Sequence, residues 1–194
     1  MIERACLLAA IVFTCCANAA PIHFSVNPTY SSIQFEIVKW SAIKEEGIFR
    51  DFQGTLVFDP DHPESAKIDV VVQAASIDTK DDNRDKVVRS DDFLNVERYP
   101  TLEFHSVAVA RSGAQTFVTG DLTIHGVTRR IRIPVTALGM HDQPRVGRVV
   151  AFETTFTVDR RDYGVLGNRW GAIPAVLSDD VNIHIVIGGL HRES

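Results

Sequence analysis

Residues 76–95 hold the densest group of side chains that could carry chemistry. Five carboxylates in this segment could pair for acid–base catalysis, and they are Asp81, Asp82, Asp85, Asp91 and Asp92. Four cations are interleaved with them, namely Lys80, Arg84, Lys86 and Arg89. Such mixing of charge is typical of a solvated, charge-balanced helix rather than of an active site. We therefore predict no catalytic residue in this segment.

Nucleophilic and metal-binding chemistry lack the groupings that they need. Acyl transfer requires a nucleophile beside a base and an oriented third group, but Ser76 and Ser106 fall on expected strands without a nucleophile elbow. The seven histidines contain no His-x-His pair, and His105 and His184 fall on the polar faces of their strands. We expect no catalytic residue and no metal site, and we predict that the chain is not an enzyme.

Strands must position most of these side chains, because the dominant hydrophobic period is two. About nine segments show this period or are apolar, and two of them could form one bent strand. They lie at 22–26, 33–37, 48–58, 68–72, 102–105, 122–124, 127–137, 150–158 and 181–187. The separators are short and carry turn residues, which suits antiparallel neighbours. Periodicity alone leaves a sandwich and a small closed barrel open.

One segment, at about residues 81–95, breaks the strand pattern. Asp81 or Asp82 can cap a short helix there, and Val87 and Val88 supply its buried side. Tyr99-Pro100 ends the segment, because the residue before a proline is pushed towards an extended conformation. The sequence therefore predicts an all-β fold with one short helical insert.

The first 19 residues have the three-part pattern of a cleaved secretory signal peptide. Leu7 to Phe13 is an uninterrupted apolar run, Arg4 precedes it, and the small residues Ala17-Asn18-Ala19 follow it. The run is too short for a stable membrane span, and we place the cleavage site after residue 19. A lipoprotein acylated at Cys15 or Cys16 is the alternative. We expect a periplasmic or secreted protein.

Chain length and cysteine positions predict that residues 20–194 form a single domain, which its hydrophobic core stabilises without metal or disulfide. A chain of 194 residues buries enough surface to need no metal or disulfide. All three cysteines lie within the predicted signal peptide, so the mature chain can form no disulfide. The net charge of −5 and the absence of a long basic run argue against nucleic acid as a partner.

Ordered short motifs decide between sandwich and barrel. They are Phe49–Gly54 followed by Asp59-Pro60, then Ala75–Thr79, Asn83-Arg84-Asp85, Arg89–Phe93, Tyr99–Phe104, Gly120–Thr128 and Asp159–Gly164. Together they resemble the YceI family over essentially the whole mature chain. The resemblance implies a lipocalin-like, antiparallel, eight-stranded barrel that is exported to the bacterial periplasm. It also implies a long apolar cavity that holds a polyisoprenoid chain.

Inward-facing apolar side chains are the candidates for lining that cavity. We select Phe35, Ile37, Phe49, Phe52, Phe104, Leu122, Phe152 and Phe156. The alternative is that the same residues form a filled core. Where this chain has Val87 the family usually carries His, and Leu94 replaces an aromatic residue. These departures affect the polar contacts of the insert and the width of the entrance.

Arginines near the insert are candidates for the ligand's head group. Arg84 and Arg89 could bind a diphosphate, because a guanidinium offers a rigid fork of donors. The alternative for such arginines, including Arg160 and Arg161, is pairing with Asp162 or a neighbouring carboxylate. No cofactor is required, although an isoprenoid lipid or quinone could be bound.

We therefore expect a carrier or buffer of a lipophilic isoprenoid, of the quinone or prenyl diphosphate type. The alternatives are an enzyme that acts on a prenyl substrate in the same pocket and a filled barrel that serves as a partner-binding module. A homodimer is left open by the sequence.

Overall fold

A computed structural model describes residues 21–167 and 176–191 as a set of antiparallel strands with one α-helix. The strands are β1 (Ile22–Val26), β2 (Ser32–Lys39), β3 (Ile43–Phe49), β4 (Phe52–Phe58), β5 (Lys67–Gln73), β6 (Ile77–Asp78), β7 (Thr101–Ser112), β8 (Gln115–Ile124), β9 (Val127–Gln143), β10 (Gly147–Asp159) and β11 (Leu177–His191). The helix α1 spans Asp82–Arg89, and short 3-10 turns occupy Pro28–Tyr30, Pro63–Ser65, Ala74–Ser76 and Arg160–Tyr163. The predicted signal peptide lies outside the described residues.

The strands close into a barrel with eight positions. Hydrogen-bonded neighbours follow the order β1, β4, β5, β7, β8, β9, β10, β11, and β11 pairs back onto β1, with Val26 opposite Gly189. Strands β2, β3 and β6 continue β1, β4 and β5 beyond short breaks, and β2 extends along the same partner, β11. Closure between β11 and β1 completes the ring of eight, while β6, in the described part of the chain, pairs only with β3. The predicted eight-stranded, lipocalin-like barrel is confirmed.

The stretch 48–58, which reads as one strand in the sequence, is divided at Arg50 and Asp51. The main chain changes partner at this point: Arg50 N–H donates to the Ser76 carbonyl (3.2 Å), and Gln73 N–H donates to the Asp51 carbonyl (2.9 Å). Strand β3 therefore pairs with β6, whereas β4 pairs with β5. The break bends the barrel wall next to α1.

Helix α1 fills the first half of the predicted insert. Asp81 is its N-cap, and its carboxylate accepts from the backbone N–H of Asn83 (2.9 Å) and of Arg84 (3.0 Å). Hydrogen-bonded turns follow the helix, in which Phe93 and Leu94 are buried. Val88 packs against the core cluster that contains Phe93 and Leu94, as predicted. Val87 is 36% exposed, so the prediction that Val87 lies on the buried side of the helix is wrong. The short helix turns Val87 towards the barrel mouth instead.

The barrel end opposite α1 is closed by packed side chains. Phe24, Leu56 and Val150 are at most 2% exposed and form a compact cluster, against which Phe58 and Phe152 pack. The rings of Phe58 and Phe152 meet edge to face, with centroids 5.4 Å apart. Since this end is closed, the α1 end is the end at which an interior cavity can open.

No helix in the described part of the chain is long and apolar enough to cross a membrane.

Candidate ligand cavity

The barrel encloses a cavity of about 550 Å³, a volume typical of small-molecule sites. Residues from each of the strands β2 to β11 line it. Several inward-facing apolar side chains at mid-barrel, such as Phe35, Phe156 and Ile183, are only partly buried. A filled interior would bury these side chains fully, because protein cores are close-packed. The described barrel is therefore hollow between the closed end and α1.

Seven of the eight predicted lining residues lie on the cavity wall. They are Phe35, Ile37, Phe49, Phe104, Leu122, Phe152 and Phe156. Phe52, the first residue of β4, is not part of the cavity wall and packs in a core cluster with Val26 and Val72. It is only 5% exposed. Contact between any of these side chains and a ligand stays a prediction.

Two glycines determine how two of the wall rings lie. A Cβ atom on Gly47 would lie 2.6 Å from Phe35 Cε1, and one on Gly120 would lie 2.6 Å from Phe104 Cε2. The outer edge of each ring therefore occupies the space next to the glycine of the neighbouring strand, from which a side chain would exclude it.

Two polar side chains of the cavity wall, those of Thr154 and Arg160, form hydrogen bonds within the protein. Thr154 Oγ1 donates to the Pro134 carbonyl at 2.6 Å. The buried Arg160 guanidinium donates to the carbonyls of Ser178, Val165 and Leu166 at 2.8–3.0 Å, and it pairs with Asp179. Burial lowers the pKa of Arg160, and the Asp179 charge opposes this shift. Arg160 thus ties the segment after β10 to the start of β11, and the inner wall presents an almost entirely apolar surface.

The mouth of the cavity lies between α1 and the β2–β3 hairpin. Lys39, Glu45 and Glu46 contribute from the hairpin, while Asp81, Asn83, Arg84 and Val87 contribute from the helix side. Arg84 spans the gap between the two elements, because its Nη1 bonds Glu45 Oε2 while its Nε donates to Thr79 Oγ1 at 2.9 Å. We call this Arg84–Glu45 pair the clasp.

The buried carboxylate of Asp85 bonds Thr79, the residue to which Arg84 of the clasp also donates. Asp85 is 6% exposed and accepts from both Thr79 N–H (2.8 Å) and Thr79 Oγ1 (2.6 Å). Arg84 Nη2 donates to the carbonyl of the same threonine at 2.6 Å. Thr79 therefore joins α1 to the end of β6, and the short Asn83-Arg84-Asp85 motif positions the helix beside the mouth.

The two predicted head-group arginines have different surroundings. Arg84 borders the cavity, but Glu45 and Thr79 already engage its donors. Arg89 is absent from the cavity lining and donates to the Ile77 carbonyl, with Asp85 at 3.6 Å. The alternative of pairing holds for Arg160 and Arg161, which both contact Asp179 rather than Asp162. Two rim carboxylates are likewise engaged, since Glu45 pairs with Arg84 and Asp81 caps α1.

Sequence reasoning missed several residues of the site. Ile183 and Ile185 line the cavity, and their alternation with Asn182 and His184 could have identified them as inward-facing. The role of Thr79 has no comparable signal, since its contacts depend on how α1 docks.

Titratable groups outside the mouth lie on the outer surface or in turns. His105 Nδ1 is 2.8 Å from Asp69 Oδ1 on the outer face, and that carboxylate raises the pKa of His105. The predicted outward orientation of His184 also holds, since its Nε2 is 2.8 Å from Glu153 Oε1. Within residues 21–167 and 176–191, no three His, Cys, Asp or Glu side chains are grouped closely enough to hold a metal ion.

Comparison with known proteins places this geometry in a family. A model of the YceI-like domain matches residues 24–188. A relative from Pseudomonas syringae pv. tomato, named UPF0312 protein, is 38% identical over 178 residues, which cover 91% of this chain and 90% of the relative.

Two solved structures share the fold. BcnA of Burkholderia cenocepacia has a TM-score of 0.76 at 24% identity, covering 84% of this chain and 98% of that one. A polyisoprenoid binding domain from Saccharophagus degradans, implicated in plant cell wall breakdown, has a TM-score of 0.66 at 16% identity, covering 88% and 99%. Given the domain match and the 38% identity of the relative, this chain belongs to the YceI family.

Proposed function

We propose that this protein binds a lipophilic isoprenoid in its barrel, as an exported carrier or buffer. The observation that carries the proposal is the hollow interior of about 550 Å³, whose wall is largely apolar and whose Thr154 and Arg160 side chains are already hydrogen-bonded. Such a site favours a chain-like apolar ligand over a polar metabolite. The structural similarity to a domain described as polyisoprenoid-binding supports the same ligand class.

Burial of apolar ligand surface against the wall supplies the main favourable free energy of binding. Burial contributes roughly 25 cal/mol per Å², so a ligand that loses about 300 Å² of apolar surface to the wall gains roughly 7 kcal/mol. Part of this gain is offset by the loss of translational and internal freedom on binding. Before this offset, about 7 kcal/mol corresponds to a dissociation constant of roughly 10 μM, reached with no charged contact.

The existing contacts of Arg84 favour an uncharged head group, such as that of a quinone, over a diphosphate. Arg84 would have to leave both Glu45 and Thr79 to hold a phosphate. Breaking this partly exposed ion pair costs up to about 1 kcal/mol, which a diphosphate would have to offset. A quinone makes no such demand.

Binding, not catalysis, is the proposed activity, because the charged groups at the mouth are used to dock α1. Asp85 bonds the main-chain N–H of Thr79 and Arg84 bonds Glu45, contacts that hold the helix to its neighbouring strands. Export is proposed from the signal pattern of residues 1–19.

Titration of delipidated protein with a quinone and with a prenyl diphosphate of equal chain length tests the proposal. We expect one quinone per barrel and weaker binding of the diphosphate. Arg84→Ala should change the quinone affinity and the diphosphate affinity by the same factor. The control Arg130→Ala, on the outer face where Arg130 pairs with Asp121, should also affect the two ligands equally. A selective loss of diphosphate binding in Arg84→Ala would assign the head group to Arg84, and failure to bind either ligand would refute the proposal.

A further inference from the structure

The most exposed large apolar side chains of the β2–β3 hairpin lie at its tip, beside the cavity mouth. Trp40 is 58% exposed and Ile43 is 47% exposed. The preceding residue, Lys39, lies on the cavity rim and pairs with Ile43 across the hairpin. Two large apolar side chains are therefore presented to solvent directly beside the entrance. Exposed apolar surface at a functional opening is a sign of an interaction surface.

The backbone of the tip indicates that the tryptophan is placed there at a cost. Trp40 and Ser41 both have left-handed backbone angles, with φ of 51° and 56°. Ala42 N–H donates to the Lys39 carbonyl at 3.2 Å, which closes a tight turn of the kind that normally uses Asn-Gly. A bulky residue in this conformation is strained. The exposed indole of Trp40, rather than ease of forming the turn, therefore explains a tryptophan at this position.

The charges around the tip complement an anionic surface. Residues 39–44 contain two lysines and no carboxylate, in a chain of net charge −5. Lys39 Nζ lies 4.3 Å from the centroid of the Trp40 ring. Lys44 Nζ is 3.0 Å from Glu36 Oε2, but this lysine side chain is 66% exposed, and such a surface pair holds its charges only weakly. The next carboxylate, Glu45, is paired with Arg84. A tryptophan flanked by lysines matches the interfacial layer of a bilayer, where the ring sits among head groups and the cations meet anionic lipid.

We infer that the tip, residues 39–44, docks the barrel mouth-first on an anionic lipid bilayer, from which the isoprenoid is taken up or to which it is returned. The inference rests on the proposed function, since it names the phase with which the cavity exchanges its ligand. Insertion of Trp40 and Ile43 brings the rim formed by α1 and the hairpin to the membrane surface. A lipophilic chain then passes into the cavity without crossing water, where its apolar surface would be exposed.

Vesicle flotation tests the docking step without any isoprenoid. The vesicles contain phosphatidylethanolamine and phosphatidylglycerol, and the variant is Trp40→Ser combined with Ile43→Ser. The matched control is Val107→Ser combined with Leu138→Ser, which removes two side chains of similar exposure (55% and 51%) from other strands. We expect the tip variant to lower vesicle partitioning by about tenfold or more, from the apolar area no longer buried, and the control to leave it unchanged. No flotation of the wild type, or an equal loss in both variants, overturns the inference.

Fluorescence in a Trp170→Phe background provides a second readout, because Trp40 is then the sole tryptophan. Its emission should shift to shorter wavelength on adding the same vesicles, and an unshifted emission contradicts insertion.

Ligand transfer separates this inference from the proposed function. The tip variant should take up detergent-dispersed quinone like the wild type, yet extract quinone from vesicles at least about tenfold more slowly. Equal extraction rates overturn the docking inference alone. Absence of uptake from detergent, with vesicle flotation intact, refutes the proposed function and leaves docking standing.

Discussion

Ile183 lies at the middle of the cavity wall, where its neighbours in register are Phe35 on β2 and Phe156 on β10. Replacing Ile183 by Trp would place an indole in the empty space. In a filled core, inserting such a group costs about 1–3 kcal/mol through strain. Here about 550 Å³ is free, and the ring would bury roughly 50 Å² of additional apolar surface, which is worth about 1 kcal/mol.

We therefore expect Ile183→Trp to leave the free energy of unfolding unchanged or to raise it by up to about 1 kcal/mol, measured by urea denaturation. Quinone affinity should fall by about tenfold or more, since the indole occupies the space of the ligand. Val186→Trp is the matched control, because Val186 lies three residues away on the outward face of the same strand, opposite Glu153. A loss of 1–3 kcal/mol in Ile183→Trp, or unchanged quinone binding, would refute the hollow-barrel account.

Three further predictions concern the mouth and one buried histidine. Glu45→Gln should release the clasp with Arg84, speed amide exchange in α1 and cost less than about 1 kcal/mol of stability, as is usual for partly exposed pairs; unchanged exchange would contradict the clasp. Asp85→Asn should cost about 1–3 kcal/mol in urea denaturation, because the buried carboxylate accepts two bonds from Thr79, and a loss of only a few tenths would count against that role. Burial lowers the pKa of His125, and a main-chain hydrogen bond only partly offsets this. A lowered pKa means that protons bind the unfolded chain more tightly, so wild-type stability should fall as pH drops below about 6.5. His125→Asn, which tolerates the local φ of 51°, should flatten that part of the curve, and an unaltered pH profile would rule out His125 as the cause.

The fold was accessible from sequence wherever period-two alternation met turn chemistry. A helix cap at Asp81 or Asp82, of which the structure uses Asp81, and the inward positions of Phe35 and Phe156 follow from local rules. The choice between sandwich and barrel did not follow from periodicity. It depended on the ordered motifs, because closure of β11 onto β1 is a contact between chain segments about 160 residues apart.

The parts that sequence could not predict all depend on how elements dock. Phe52 has the same alternation as its cavity-lining neighbours, but the break at Arg50 moves it into the packed cluster with Val72. Arg84 and Arg89 look equivalent in the sequence, yet only Arg84 borders the cavity, because only its side of α1 faces Glu45. Five residues along an α-helix rotate a side chain by about 140°, so Arg84 and Arg89 lie on different sides of α1.

Mass spectrometry of organic extracts is the most direct test of the claim that the cavity holds a lipophilic isoprenoid. The protein is purified from bacteria without detergent, extracted, and compared with Ile183→Trp prepared in the same way. The account predicts a polyisoprenoid, such as a quinone, in near-stoichiometric amount in the wild-type extract and strongly reduced in the variant. Absence of any isoprenoid from the wild-type extract, together with failure to take up added quinone, would contradict it.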